Sequence, residues 1–236
     1  ALRLLDRAAA GYAREGDQAA LANVHLNRAL VHQLNLRQPD SASSELAKAR
    51  ALALASGDRG ELVRILTALG ELRLGESKLA EAREAFTEAA TTAVAVGAAA
   101  GRWNAEAGLA RVARASGDDD AAFAHFERAI SEIERVGSEL ESARLASDLL
   151  ADQRAVYAAA VDLVAERALE APAESRERAT VAALALAERA RARELLAALN
   201  GEASEPLSEA AIFAATRELG PTLAYFFGEK HLWRWE

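Results

Sequence analysis

No cysteine occurs in the 236 residues. That removes disulfides, thiolate-bound metals and cysteine nucleophiles from the chemistry of this stretch of chain. Methionine is absent as well, and the chain starts on the helical Ala1-Leu2-Arg3-Leu4-Leu5 with no signal-peptide layout, so it reads as a piece of a longer protein. Charges interrupt the apolar positions every few residues, and nothing approaches the ~20 continuous apolar residues of a membrane span. No run of Lys and Arg gathers the positive potential that phosphate backbones require, and the formal net charge is −8. Nucleic acid and membrane are therefore not expected partners, and the chain is expected to be soluble and cytoplasmic.

What is present is alanine, leucine and order. About half of the residues are apolar, only four are proline and 27% are charged, which predicts a largely helical chain. A small–large–small pattern recurs along it: Ala1, Leu5 and Ala8, then Ala42, Leu46 and Ala49, then Ala82, Phe86 and Ala89, then Ala122, Phe126 and Ala129. The steps are 41, 40 and 40 residues. Gly16, Gly57, Gly97 and Gly137 keep the same time and are expected to close the helices that carry each copy. The Ala positions let helix backbones approach, and Leu or Phe fills the hollow between neighbouring hairpins.

Helices are predicted over 1–15, 18–34, 41–56, 60–74, 78–96, 99–115 and 120–136, giving units 1–16, 17–57, 58–97 and 98–137. A last unit, 138–199, holds an elongated helix over 139–170, broken at Ala171-Pro172, and a long helix over about 174–199. There Ala183, Ala187 and Ala190 restate the pattern. The unit reads as a cap on the stack. Residues 200–221 are expected to form a linker with one short helix, from Pro206 to Leu219. Two aromatic-rich runs, 222–227 and 231–236, flank Gly228-Glu229-Lys230 and predict a β-hairpin that needs another surface to cover it.

Leu69-Gly70 with Ala82, Phe86 and Ala89, and Leu109-Ala110 with Ala122, Phe126 and Ala129, resemble the tetratricopeptide repeat. The ~40-residue period departs from that family's roughly 34 residues and implies helices longer by about a turn and a half. The resemblance implies an all-α fold, a right-handed solenoid of tetratricopeptide-like hairpins over 1–199, followed here by the short C-terminal β-hairpin. Gly75 and Gly117 stand at different distances from the copies that follow them, which leaves the first-helix register of one unit open.

A second resemblance sits at the junction. "LALAERARARELLAALNG", with Glu188 to Ala192 at its centre, followed by "GPTLAYFFGEKHLWRWE", resembles the border between tetratricopeptide repeats and a CHAT domain, the caspase-like module related to separase. It covers roughly residues 183–236. In that family the His and Cys of the proteolytic dyad lie far downstream of the opening hairpin, so His231 takes no catalytic role. The resemblance implies a non-catalytic interaction and regulatory arm that works beside a downstream CHAT-like domain, the parent being a cysteine protease. An alternative of another class is the sensor arm of a bacterial transcriptional regulator or signalling ATPase.

Candidate sites are few. His25 and His32 share a helix face but lack the third ligand zinc requires, and His125 is expected on a helix surface. Asp118-Asp119-Asp120 lacks the alternating ligands of a calcium loop and suits a helix start. No catalytic, metal or cofactor site is expected. The resemblance to the tetratricopeptide repeat implies that the first helices line a concave face, with Arg64, Asn104, Ala107, Arg111 and Arg114, and then Arg144, Ser147 and Arg154. Such arginines suit the carboxylates of an acidic protein or peptide partner, the bland alternative being pairing with Glu a turn away. Trp103 is expected to pack between units, and Trp233 and Trp235 to share one face of a strand.

Overall fold

The loop punctuation is where sequence becomes structure. In a computed structural model of the chain the backbone is described for residues 1–139, 146–199 and 224–235, and side chains for 1–136, 153–191 and 224–235. Gly57 ends one helix in the left-handed conformation (φ 72°), and the next residue, Asp58, starts another by accepting the Glu61 N–H at 2.9 Å. Gly16 and Asp17 repeat the device, and Asp118 accepts the Ala121 N–H at 3.0 Å. The resulting helices are α1 (Leu2–Glu15), α2 (Gln18–Leu30, prolonged by a π-helical turn Val31–Asn35), α3 (Pro39–Ser56), α4 (Arg59–Gly75), α5 (Leu79–Val96), α6 (Ala99–Ala115), α7 (Asp119–Glu139), α8 (Ala146–Glu170) and α9 (Ala173–Leu199). One two-stranded antiparallel sheet, β1 (Ala224–Phe227) and β2 (Leu232–Trp235), completes the described residues. No helix among the described residues is long and apolar enough to cross a membrane.

The turn register left open by Gly75 and Gly117 is uniform. In the turns inside the hairpins the positive-φ residues are Arg37 (φ 53°), Ser77 (φ 60°) and Gly117 (φ 77°), each 40 residues from the next, while Gly75 is simply the last residue of α4. The extra residue of the 41-residue first step lies between Gln18 and Arg37, the segment that holds the π-helical turn, because such a turn absorbs one added residue without moving the flanking helix. Ser77 carries a Cβ in a conformation that suits glycine. Ser77→Gly is therefore expected to raise stability by about 0.5–1 kcal/mol, strain relief less the added unfolded-state entropy, read as a higher midpoint in urea.

The chain divides into two compact units, Ala1–Glu132 and Ile133–Glu236, a division that falls within the expected unit 98–137. In the first unit α1 to α6 each pack on their sequence neighbours, α7 meets α6 where His125 reaches Glu106, and α2, α4 and α6 also touch in succession. Ala42, Ala49, Ala82, Ala89, Ala122 and Ala129 are buried, with Leu46, Phe86 and Phe126 between them. Leu46 shares a buried cluster with Ala29 of its own hairpin and Ala68 of the next. Phe86 lies against Gly70 and Gly108, the corresponding positions one repeat on, where a Cβ would come within 2.6 and 2.3 Å of the ring. The larger knob is matched by the smaller sockets. The first copy differs: Ala1 is exposed and Leu5 and Ala8 are half-buried. Trp103 is buried in the core.

In the second unit α8 packs on α9, burying Val156, Ala160, Val161 and Leu163 on one helix and Ala183, Leu186, Ala187 and Ala190 on the other. Glu134 accepts the Tyr157 hydroxyl at 3.0 Å and Arg189 Nη2 at 3.1 Å. The helix break at Ala171-Pro172 is present. The hairpin pairs Ala224 with Trp235 and Phe226 with Trp233, so both tryptophans share its covered face while Tyr225, Phe227 and Leu232 stand exposed. One expected boundary is corrected. Gly137 does not close a helix, since α7 continues through it to Glu139. Ser138-Glu139 follows there, not the Asp or Ala that opens a new helix after the other three glycines, and glycine tolerates helical φ as well as left-handed. The short helix expected over 206–219 lies outside the described residues.

Candidate functional site

The face on which α2, α4 and α6 touch is built from equivalent positions of successive helices. Asn23, Arg64 and Asn104 each stand sixth in their helix, and Glu71 and Arg111 each stand thirteenth. Both joints between these helices are bridged by a carboxylate. At the first, Glu61 accepts Asn23 Nδ2 at 3.3 Å and Arg64 Nη1 at 2.6 Å. At the second, Glu71 receives both terminal nitrogens of Arg111, Nη1 at 2.8 Å to Oε2 and Nη2 to Oε1. Arg111 Nε also donates to the carbonyl of Ala107, at 3.3 Å.

The expected arginines thus have distinct fates. Arg64 pairs with Glu61, one turn back on its own helix, yet keeps an exposed side chain. Arg111 pairs with the neighbouring helix, and its side chain (37% exposed) and that of Glu71 (34%) remain reachable from solvent. Arg114 is half-buried and Arg154, on α8 in the second unit, is exposed; each engages a neighbouring group. Asn104 is half-buried, and among the described residues its side chain makes no hydrogen bond. Arg144 and the side chain of Ser147 lie outside the described residues. Glu71 was legible as an opposite charge one repeat before Arg111, a pattern that sequence reasoning passed over, whereas the pairing of Arg64 with Glu61 is the one-turn alternative.

His25 and His32 have separate partners. His32 Nδ1 meets Gln38 Oε1 at 2.9 Å, while His25 Nδ1 meets Glu45 Oε2 at 2.7 Å across the hairpin to α3. Glu45 also accepts from Lys48 Nζ at 2.9 Å and forms an ion pair, without a hydrogen bond, with Arg28 Nε at 3.2 Å, and Arg28 reaches Asp6 on α1 at 3.2 Å. Burial pushes the Glu45 carboxyl up, but the hydrogen bonds from His25 and Lys48 and the charges of Arg28 and Lys48 outweigh it. Its pKa stands below the ordinary glutamate value.

His125 is not a plain surface residue either. Its Nδ1 lies 2.8 Å from Glu106 Oε2 on α6 and 2.7 Å from Arg128 Nη2, so the tautomer decides which bond forms. Glu106 stands eighth in α6, as His25 does in α2, and His125 precedes Phe126 as Glu45 precedes Leu46. The same two positions carry His–Glu in one hairpin and Glu–His in another. Between them, the hairpin of α4 and α5 has the buried apolar pair Leu66 and Ala85. These pairs sit between the helices of a hairpin and join them.

A second polar cluster, in the other unit, gave no sign in the sequence. Asp162 on α8 is fully buried and accepts the Lys230 N–H at 2.7 Å and the Trp233 Nε1–H at 2.6 Å. Its partners lie 68 and 71 residues away.

Set beside known proteins, the chain matches no family model, and no curated protein matches it.

Proposed function

We propose that this chain is a non-catalytic protein-interaction scaffold. In this reading α1–α7 form a right-handed, tetratricopeptide-like stack with a ~40-residue period, and its α2–α4–α6 face receives an acidic peptide or protein segment. The second unit then leads through its hairpin into a CHAT-like domain of a larger, cytoplasmic, caspase-related protein, which the arm helps to recruit partners for and to restrain. A two-stranded sheet at the expected place, held by a helix, accords with the junction resemblance.

One observation carries the reading: the forked pairing of Glu71 with Arg111 on the touching first helices. A guanidinium already presented to a carboxylate in fork geometry, and still about a third exposed, is a receptor whose internal ligand an incoming carboxylate can replace. Asn104 on the same row adds an amide able to donate and accept. The acidic net charge makes the contact local and salt-sensitive, not a long-range attraction.

The test is fluorescence anisotropy with a labelled Glu/Asp-rich peptide. Reversing the charges together, Arg64→Glu with Arg111→Glu, is expected to abolish binding. Glu71→Gln, which frees Arg111, is expected to tighten it about three- to ten-fold, the worth of one exposed charge-assisted pair. Unchanged binding in the reversed protein removes the site from this face.

A further inference from the structure

The Lys230 N–H and the Trp233 indole N–H of the hairpin both dock on α8. Asp162 and Glu166 stand one turn apart on that helix and face the turn between β1 and β2. The Asp162 carboxylate is spent on the Lys230 and Trp233 N–H groups, and the turn is closed by the Gly228 N–H on the His231 carbonyl at 2.8 Å. Gly228 passes so close that a Cβ there would come within 1.9 Å of Asp162 Oδ1. A hairpin of two four-residue strands does not hold itself in water, so its docked state depends on this contact.

His231 sits beside the anchor without being part of it. Its half-exposed ring lies against Trp233, ring centres 5.1 Å apart, with Nδ1 at 3.6 Å from Glu166 Oε1 and 3.8 Å from Asp162 Oδ1. Both distances exceed a hydrogen bond, so a neutral imidazole contributes little to either carboxylate. An imidazolium at the same place lies between two negative charges. The other charged residues of the described hairpin are Glu229, Lys230 and Arg234, all exposed to solvent; Glu229 and Lys230 offset each other, and Arg234 and Glu166 each engage a further group. Histidine is the side chain whose charge changes between about pH 5 and 8.

We infer that His231 is a proton-operated latch: its protonation clamps the hairpin onto Asp162 and Glu166 of α8, and its deprotonation loosens it. The device lies wholly in the second unit and does not depend on the peptide-binding face, so either can fail alone.

The test follows amide hydrogen exchange at Lys230 in the 236-residue chain, as a protection factor with the intrinsic pH effect divided out, alongside the Trp233 indole proton resonance. Acidification from pH 8 to 5.5 is expected to raise Lys230 protection about two- to five-fold, the range for a partly exposed ion pair. His231→Gln, at a half-exposed position, is expected to leave protection the same at both pH values, and Glu166→Gln to reduce the rise. Asp162→Asn is expected to lower protection throughout while circular dichroism keeps its helical signal. A flat profile in the native chain, or a pH response that survives His231→Gln, overturns the latch; protection retained in Asp162→Asn overturns the anchor.

Discussion

Phe86→Ala is expected to lower the stability of the first unit by about 3–5 kcal/mol, the range for emptying a fully buried aromatic site. The ring is wedged between α4 and α6, and helix backbones cannot collapse into the space as side chains would. The converse change is informative because it adds atoms. Gly108→Ala places a methyl about 2.3 Å from the ring, closer than two carbons can approach, and is expected to cost about 1–3 kcal/mol by overpacking. Adding Phe86→Leu should recover most of that loss, since the neighbouring cluster already pairs Leu46 with Ala29 and Ala68. Urea denaturation followed by circular dichroism measures all three. An equal cost of Gly108→Ala beside Phe and beside Leu would show that the ring contact is not its cause.

Glu45→Ala should cost about 3 kcal/mol, because it leaves the largely enclosed His25 without its carboxylate and Arg28 with only the exposed Asp6. Lys48→Ala removes a half-exposed partner of the same group and should cost less than about 1 kcal/mol. The pH dependence follows from the depressed carboxyl. A glutamate whose pKa is lower folded than unfolded contributes stability that is fully present above the unfolded value and is lost as pH falls through the folded one. The stability gap between the native protein and Glu45→Gln should therefore be widest near neutrality and close in acid, at and below the carboxylate range. A gap that widens on acidification would contradict the assignment.

Much of the helical part was legible because its determinants are local. The Gly-Asp pairs at 16–17 and 57–58 terminate and restart helices through the backbone conformation of one residue and the side-chain oxygen of the next. The 40-residue spacing of Ala, Leu and Phe identified buried positions without coordinates. Where one local rule could be met by two residue types the sequence was less decisive: the turn over 75–77 left the register open until Ser77 takes the positive φ, and Gly137 resembled a stop that α7 reads through. The pairing of Arg64 with a Glu one turn away needed only the helix, whereas Glu71 and Glu61 become neighbours of Arg111 and Asn23 only when successive hairpins touch.

The sequence alone determined that the chain is helical, where its helices break, which residues recur at the interfaces, and that a short aromatic hairpin follows. All of these are set by backbone preference and by the periodicity of small and large side chains. Tertiary structure decided which charges meet. It gave Arg111 to Glu71, exchanged the partners His25–Glu45 for Glu106–His125 between two hairpins, and brought Asp162 under a turn some seventy residues away. Hydrogen bonds and ion pairs act over a few ångströms in space and have no period along the chain, so only the packed fold selects them.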